Sequence, residues 1–352
     1  MTRLLFAIPG DLSSLTGGYG YDRRVMEALP DCGVDVVHCA LPGSFPDPSE
    51  ADVAEAVHKI NDALQPGDVV LADGLAFGVL PENAIRAIAT PIIALCHHPL
   101  GLETGLMPAR SSALLKMEAT ALALASHVIV TSQHTGNLLM QDFAVPASRI
   151  SVAVPGTDPA TRAAGSGGAP NLLAIGSIIP RKAFHILVEA LAGLTNLDWR
   201  LRLAGSSNHS PETAAALNQQ IKMQGLCERI EHLGELRALA LDQAYSASDI
   251  FVSSSLYEGY GMALCEAMAR GLPIITMTGG AAADTVPDEA ALKVPPGDVA
   301  ALHEALRRLI TDANLRARLS DASWLAGQHL PRWHETAMVI AKAARTLAGT
   351  TS

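Results

Sequence analysis

The stretch from Asp249 to Thr276 constrains the fold of this chain more than any other part of the sequence. Its short apolar run, Ile250 to Val252, is typical of a buried strand. A glycine-containing loop follows, and then Met262 to Arg270, whose residues favour a helix that glycine and proline end. Leu272 to Thr276 is apolar again. The stretch therefore predicts a βαβ unit whose loop lies at the carboxyl end of a strand, where open α/β sheets bind ligands.

The loop of this unit has the residue types expected at an anion site. Gly259 and Gly261 allow the backbone to approach a ligand closely, and the next helix begins with unpaired N–H groups that favour a phosphate. Glu258 before the loop and Glu266 in the helix can accept hydrogen bonds from hydroxyl groups. Phosphate with hydroxyls on both sides describes a nucleotide sugar. The residues alone also fit a helix cap at Glu258 and a solvated surface residue at Glu266.

The same stretch resembles the signature of the retaining glycosyltransferases of family 4, which have the two-domain GT-B fold. The resemblance is carried by Glu258 and Glu266 at their spacing of eight positions, by E-G-Y-G and by E-A-M-A-R-G-L-P. It implies that Glu258 acts at the donor sugar hydroxyls and that Glu266 binds the nucleotide ribose. It also implies that the backbone between them faces the donor diphosphate, at Gly259, Tyr260, Gly261, Met262 and Ala263.

Length and composition agree with two α/β domains. The chain has 352 residues, of which 49% are hydrophobic and 17% charged, which excludes disorder and favours parallel sheets covered on both faces. Five scattered cysteines without C-x-x-C spacing predict a cytoplasmic protein with neither disulfides nor a zinc site. The net charge of −10 argues against a nucleic-acid partner. The first residues predict no signal peptide, and no apolar run predicts a membrane span.

The first half of the chain alternates short apolar strands with helices, which predicts a doubly wound parallel sheet. After the first strand, Leu4 to Ile8, a loop with Gly17 and Gly18 precedes a helix predicted from Tyr21 to Leu29. The loop does not spell G-x-G-x-x-G, which argues against a dinucleotide-binding dehydrogenase. The glycine pair alone fits a flexible turn, whereas its position resembles the GT-B glycine loop and implies that Gly17 and Gly18 bind the donor.

Two adjacent histidines follow the predicted strand Ile92 to Cys96. A histidine at the carboxyl end of a strand either lines a ligand cleft or only bonds a nearby loop. The family often has a His–Asp pair here whose histidine lies near the donor sugar, so the resemblance implies a catalytic role for His97. His98 stands where the aspartate would be, and which histidine faces the substrate stays open. His98, Glu103 and Arg110 are acceptor-side candidates by position.

Residues 155–170 are rich in Pro, Gly, Ala and Ser and predict a linker. The predicted domains are an N-terminal acceptor-side Rossmann-like domain, residues 1–157, with a crossover helix at about 335–352, and a nucleotide-sugar-binding Rossmann-like domain, residues 158–334. The resemblance implies that the two domains face a central cleft. Gly205 ends the predicted strand Trp199 to Ala204, where the family has a glycine loop near the nucleotide.

Arg181 and Lys182 precede a helix predicted from Phe184 to Leu194. Alone they fit either a solvated basic pair or an anion site, because cations at a helix start oppose the helix dipole unless an anion binds there. The family has an arginine, then a lysine followed by glycine, and both cations bind the donor diphosphate. Lys182 matches the lysine, whereas Ser177 replaces the arginine and Ala183 the glycine. Arg181 is therefore the candidate for the second charge.

These residues predict a glycosyltransferase that uses a nucleoside-diphosphate sugar as co-substrate and needs no other cofactor. The chain has no D-x-D, so we expect protein cations, and no metal ion, to stabilise the departing nucleotide. The resemblance implies retention of anomeric configuration. The base, uracil or guanine, the sugar, the acceptor and the oligomeric state stay open.

Four other classes share part of this pattern. They are a GT-B sugar phosphorylase, a GT-B epimerase, a non-catalytic nucleotide-sugar-binding relative and a periplasmic sugar-binding protein. The epimerase lacks the paired glutamates, and the periplasmic class needs a signal peptide. Residues 1–157 have 16 Asp and Glu against 8 Lys and Arg and no basic amphipathic helix, so we do not expect electrostatic docking on an anionic membrane.

Overall fold

A computed structural model describes residues 2–349 of the chain. The chain divides into two compact units. One runs to Gly156 and resumes at Pro331, and the other is Thr157–Leu330. The sequence predicts domain boundaries after residues 157 and 334. The observed boundaries, after Gly156 and Leu330, lie slightly closer to the N-terminus.

The first unit is built on a six-stranded parallel sheet. Its strands are β1 (Thr2–Pro9), β2 (Val34–Leu41), β3 (Val69–Asp73), β4 (Ile92–Cys96), β5 (His127–Val130) and β6 (Ile150–Val152). Its helices up to this point are α1 (Gly17–Ala28), α2 (Glu50–Ala63), α3 (Gly74–Phe77), α4 (Glu82–Arg86), α5 (Pro108–Leu124) and α6 (Gln133–Asp142). The strand order is β2-β1-β3-β4-β5-β6, so the winding reverses between β1 and β3. Open α/β sheets bind ligands outside the carboxyl ends of strands at such a point.

The second unit contains another six-stranded parallel sheet. Its strands are β7 (Asn171–Ile175), β8 (Arg200–Ala204), β9 (Ile230–Gly234), β10 (Ile250–Ser253), β11 (Ile274–Met277) and β12 (Ala291–Val294). Its helices are α7 (Phe184–Ala192), α8 (Pro211–Met223), α9 (Ala238–Ser246), α10 (Met262–Ala269), α11 (Ala282–Thr285), α12 (Val299–Thr311) and α13 (Ala313–Gln328). The order β12-β11-β10-β7-β8-β9 is the doubly wound order of dinucleotide-binding sheets, and its winding reverses between β7 and β10.

The last helix, α14 (Trp333–Ala348), belongs to the first unit. The Trp333 ring meets the Tyr21 ring edge-on, with 5.8 Å between centroids, and Thr336 donates to the Val154 carbonyl oxygen at 2.7 Å. Gly156 lies so close to this helix that an added Cβ would be 2.2 Å from the Trp333 nitrogen. Close packing around Trp333 therefore holds helix α14 in the first unit.

The central strands of both units have apolar side chains on both faces, as sheets covered by helices on each side require. Leu4–Ile8 in β1 and Leu172–Ala174 in β7 are completely buried. The prediction of two doubly wound parallel sheets is confirmed. No helix in residues 2–349 is both long enough and apolar enough to cross a membrane.

The first helix begins earlier than the sequence predicts. The prediction places residues 16–20 in a loop and starts the helix at Tyr21, whereas α1 begins at Gly17. The side chain of Thr16 caps the helix by accepting a hydrogen bond from the Tyr19 nitrogen. Gly17 and Gly18 therefore lie in the first helical turn, because a threonine cap outweighs the low helix propensity of the glycines.

The predicted linker is packed against the second unit. The Ala163 nitrogen donates to the Arg270 carbonyl at 2.9 Å, and the Ala164 nitrogen donates to the Ser246 carbonyl at 3.0 Å. Arg162 also donates to Ser320 at 2.8 Å. Composition predicts the lack of regular structure in this segment correctly, and these bonds fix its position in the second unit.

Several elements escape sequence analysis. The predictions contain neither the short helix α9 nor the strand β12. One residue, Asp312, ends α12 and caps α13 by accepting from the Leu315 nitrogen, so no glycine or proline marks the junction. Strand β11 begins and ends later than the apolar run from Leu272 to Thr276 that predicts it.

We predict that Gly205→Ala lowers the free energy of unfolding by about 2 kcal/mol or more. Gly205 has a φ of +151°, and an added Cβ would lie 1.9 Å from the Gly176 carbonyl oxygen. The matched control is Gly225→Ala, where φ is +69° but no atom lies within 4 Å, so only about 1 kcal/mol of backbone strain is expected. Urea denaturation measures both, and equal losses would contradict close packing at Gly205.

Candidate functional site

In the second unit, the loops that follow β7 and β10 are bonded to each other where the winding reverses. The Leu256 nitrogen donates to the Arg181 carbonyl at 2.9 Å, and the Ser254 hydroxyl donates to the Lys182 carbonyl at 2.8 Å. These bonds bring the predicted cations beside the predicted carboxylate Glu258. Residues 76 positions apart in sequence thus form one polar cluster.

An ion pair between Lys182 and Glu258 lies at the centre of this cluster. Lys182 Nζ is 2.6 Å from Glu258 Oε1, and Arg181 Nη1 is 3.6 Å from Oε2. Glu258 is buried, which alone would raise its pKa. The charges of Lys182 and Arg181 outweigh burial and hold the pKa of Glu258 below its ordinary value. The carboxylate is therefore ionised, as a strong hydroxyl acceptor must be.

The backbone of Glu258 is held in place by the loop after β11. Its nitrogen donates to the Gly279 carbonyl at 3.1 Å, and its carbonyl accepts from the Ala281 nitrogen at 2.8 Å. A Cβ on Gly279 would lie 1.9 Å from the Leu256 carbonyl oxygen, and one on Gly280 would lie 2.3 Å from the Glu258 carbonyl oxygen. The structure therefore gives both glycines a role in positioning Glu258.

Helix α7 begins at Phe184, as the sequence predicts, and Arg181 and Lys182 precede it. They lie in a separate 3-10 turn, and Ala183 follows in the left-handed conformation, with φ +46° and ψ +40°, before α7 starts at Phe184. A glycine adopts this conformation without steric cost, which explains why glycine is usual after the lysine in the family that the motif resembles. The turn directs both cations toward Glu258.

The predicted anion loop ends at the start of α10. Gly261 precedes the helix with φ +100°, a conformation that favours glycine, so Met262 and Ala263 form the first turn with its unpaired N–H groups. The hydroxyl of Thr285 donates to the Tyr260 carbonyl at 2.7 Å and fixes the loop. Gly259 lies between Glu258 and Tyr260 and is partly exposed.

Glu266 is not a solvated surface residue. It lies in α10, is partly buried, and its Oε2 accepts from the Tyr245 hydroxyl at 2.7 Å. Burial raises the pKa of Glu266, and the Tyr245 hydrogen bond and the charge of Arg270 work against that rise.

Gly205 is another residue that the sequence predicts to lie near the nucleotide. Its close packing against Gly176 is enough to explain why this position is a glycine.

In the first unit, His97 lies between two buried aspartates at the reversal of the sheet. Its Nε2 is 3.5 Å from a carboxylate oxygen of Asp22 in α1 and 3.5 Å from one of Asp73 at the end of β3. Tyr21 meets the ring edge-on at 5.2 Å. Burial lowers the pKa of His97, but the two carboxylates outweigh burial and raise it. The two aspartates therefore favour the protonated form of His97, whereas burial also raises the pKa of Asp22, to about 7.

The two glycines predicted to bind the donor could each accept a Cβ without a steric clash. A Cβ on Gly18 would be 3.7 Å from the His97 ring, which is ordinary contact, and one on Gly17 would meet no atom within 4 Å. Packing within the unit therefore does not require glycine at either position. Close approach of a ligand gives a reason for the residue type at both.

The acceptor-side candidates are brought together only in part. His98 Nε2 lies 3.2 Å from Glu103 Oε2, and the other oxygen of Glu103 accepts from the Thr104 nitrogen. Arg110 instead forms an ion pair with Asp47 and donates to the Pro46 carbonyl at 3.1 Å. The structure joins His98 to Glu103 and gives Arg110 different partners.

Asp22, Asp73 and His97 are also the group of side chains in residues 2–349 that could hold a metal ion, since their donor atoms lie within 4.8 Å of one another. One protonated histidine would offset the charge of only one of the two carboxylates. Metal independence of the reaction stays a prediction.

The comparisons with known proteins bear first on the second unit. Residues 169–312 match the family model described as glycosyl transferases group 1. This range contains Lys182, Glu258 and Glu266. A segment of 116 residues is 33% identical to the mannosylfructose-phosphate synthase of Agrobacterium fabrum, and it covers 31% of this chain and 26% of that protein. The chain spans between 26% and 61% of the length of the first three curated relatives that it matches.

Known structures resemble nearly the whole chain. The sucrose-phosphate synthase of Thermosynechococcus elongatus matches with a TM-score of 0.82 and 21% identity, over 99% of this chain and 100% of that one. HepE of Anabaena in complex with UDP-glucose matches with a TM-score of 0.77 and 19% identity, over the same shares. The fold is GT-B.

Sequence reasoning missed three site residues, Asp22, Asp73 and Tyr245. Asp73 offered a signal, because an acidic residue directly follows a buried apolar strand where ligands bind. Asp22 and Tyr245 gave none, since each lies within a helix and nothing nearby marks a site. Their roles depend on contacts with residues distant in sequence.

We predict that Asp22→Asn lowers the pKa of His97, because it removes one of the two carboxylates that raise it. Nuclear magnetic resonance of the histidine rings follows the titration. In the unmodified protein the His97 signal should keep its protonated position between about pH 5 and 8. Asp35→Asn, at an exposed position in β2, should leave the titration unchanged. A neutral His97 in the unmodified protein at pH 7 would refute the assignment.

Proposed function

We propose that this protein is a retaining, metal-independent glycosyltransferase of family 4 that transfers a hexosyl group from a nucleoside-diphosphate sugar to an acceptor hydroxyl. The buried Lys182–Glu258 pair carries the proposal. It combines a cation for phosphate with a carboxylate for sugar hydroxyls, beside the first turn of α10 and within the segment that matches the glycosyl transferases group 1 model. No cofactor other than the nucleotide sugar is part of the proposal.

The second unit binds the donor in this proposal. Lys182 and the first turn of α10 stabilise the negative charge of the departing diphosphate, and Arg181 adds a second cation. The backbone of residues 259–263 approaches the diphosphate, and Gly205 lies near the nucleotide. Glu266 accepts from the ribose hydroxyls and Glu258 from the sugar hydroxyls. Each of these groups is preorganised by protein contacts, so little rearrangement is needed as the glycosidic bond breaks.

The first unit supplies the groups around the sugar and the acceptor. His97, held as a cation by Asp22 and Asp73, donates a hydrogen bond to the donor sugar. Gly17 and Gly18 give the donor room beside that ring. His98 and Glu103 act on the acceptor side as a bonded pair, and Arg110 is assigned there by position only.

The comparisons support a nucleotide donor without fixing its base. HepE is described in complex with UDP-glucose, and uridine or guanosine diphosphate is proposed for this chain. A bacterial, cytoplasmic enzyme is proposed, and the relatives named above include a bacterial synthase. The acidic first unit supports an acceptor that is not presented on an anionic membrane.

A non-catalytic nucleotide-sugar-binding protein is the second candidate. The observation that favours it is Ser177, which carries no charge where the family that the motif resembles has an arginine. A GT-B sugar phosphorylase is the remaining catalytic alternative. Release of a sugar phosphate in the presence of inorganic phosphate would identify that activity.

We expect one nucleoside diphosphate from a panel of UDP, GDP, ADP and CMP to protect the protein from thermal unfolding, with or without EDTA. A ligand at about 100 times its dissociation constant adds about 2.7 kcal/mol of stability. Lys182→Ala should abolish the protection, because it removes the cation on the diphosphate. Lys222→Ala, an exposed lysine of α8, is the matched control and should keep it. Protection that EDTA removes would contradict metal independence.

We predict that Glu258→Gln reduces sugar transfer by about 100-fold or more, as loss of a group that acts on developing charge does. Binding of the nucleoside diphosphate should persist, because the amide removes only the acceptor for the sugar hydroxyls. Hydrolysis or transfer from the matching nucleotide sugar gives the rate, and calorimetry gives the affinity. An unchanged rate would exclude Glu258 from the reaction, whereas binding of the nucleotide sugar by the unmodified protein with no measurable hydrolysis or transfer would favour the non-catalytic alternative.

A further inference from the structure

Tyr245 is a completely buried residue of α9 whose hydroxyl lies in the nucleotide half of the site. The hydroxyl donates to Glu266 Oε2 at 2.7 Å and lies 3.2 Å from the Ala263 carbonyl oxygen. No other residue in the described part of the chain donates a hydrogen bond to the Glu266 carboxylate. Oε1 therefore keeps its capacity to accept bonds from a ligand.

The Tyr245 ring is packed against one aromatic and one cationic side chain. Phe251 of β10 stacks on one face, with 5.9 Å between ring centroids, and the Arg270 guanidinium lies 4.6 Å from the ring centroid. Arg270 is itself fixed by Asp242, at 2.8 Å, and by the carbonyl of Glu266, at 3.0 Å. The direction of the phenol hydroxyl is therefore set by packing, and its bond fixes the orientation of the carboxylate.

We propose that Tyr245 is a positioning residue that orients Glu266 so that the carboxylate selects a nucleotide by its ribose hydroxyls. The proposal rests on the donor-binding role given to Glu266 above. A carboxylate that rotates freely loses rotamer entropy when it binds a diol, whereas a carboxylate held by a buried phenol has already lost that freedom. Tyr245 acts through Glu266 and does not itself contact the ligand.

The test compares the dissociation constants of a nucleoside diphosphate and its 2′,3′-dideoxy analogue by calorimetry. In the unmodified protein the analogue should bind about 10-fold or more weakly, because a hydrogen bond to a charged group is lost. Tyr245→Phe keeps the ring and removes the hydroxyl, so this ratio should fall to about threefold or less. Glu266→Gln should reduce the ratio in the same way, and the double variant should show no further reduction, since the two residues act as one unit.

Ser248→Ala is the matched control. Ser248 is a buried residue just after α9, and its hydroxyl donates to the Ala244 carbonyl at 2.6 Å without touching Glu266, so the ratio should remain that of the unmodified protein. If Tyr245→Phe weakens both nucleotides equally, the ratio is unchanged and the proposal is overturned, because Tyr245 then serves packing alone.

Failure of this inference is distinct from failure of the proposed function. If Glu266→Gln lowers the ratio and Tyr245→Phe does not, the donor-binding role of Glu266 stands and the role of Tyr245 falls. If the unmodified protein binds both nucleotides equally, Glu266 does not contact the ribose and the inference falls with it. If no nucleoside diphosphate binds at all, the proposed function is itself refuted.

Discussion

The buried ion pair between Lys182 and Glu258 is the interaction around which the second unit is organised. Two charges removed from water cost several kcal/mol each, and their mutual attraction offsets that cost only when the geometry is close and hydrogen bonds complete it. Here Arg181 approaches the second carboxylate oxygen, and the backbone of Glu258 is fixed by residues 279 and 281. A pair of apolar residues would give similar stability without this arrangement. The charged pair is therefore better explained by ligand chemistry than by stability.

Close backbone contacts allow the charged groups to converge. A Cβ on Gly205 would overlap the Gly176 carbonyl, and one on Gly279 would overlap the Leu256 carbonyl. These glycines let the loops after β7 and β8, and those after β10 and β11, lie directly against one another. The stem of Lys182 uses the same opening, since a Cβ on Gly176 would be 2.9 Å from its Cε. Glycine thus serves here to bring loops together, in addition to any approach of a ligand.

Much of the fold could be predicted from the sequence because buried parallel strands are continuous apolar runs separated by helices. The segment from Asp249 to Thr276 gave the position of the loop and of Glu258, and Lys182 followed from its place after another strand. Helix boundaries were less predictable, as Asp312 illustrates, because one residue can end a helix and cap the next. The partners of the site residues could not be predicted. Nothing in the spacing of Asp22 and Asp73 indicates that both face His97.

Both units have buried charged side chains at the reversal of their sheet, but the charges around them have opposite signs. In each, the candidate site residues lie at the carboxyl ends of strands where the winding of a parallel sheet reverses, which is where open α/β sheets bind ligands. In the second unit a single buried carboxylate lies among cations, so the surroundings favour an anion. In the first unit a single histidine lies between Asp22 and Asp73, so the surroundings favour a cation. The cations around Glu258 therefore suit the diphosphate proposed for the second unit, and in the first unit the two acidic residues favour the protonated form of His97.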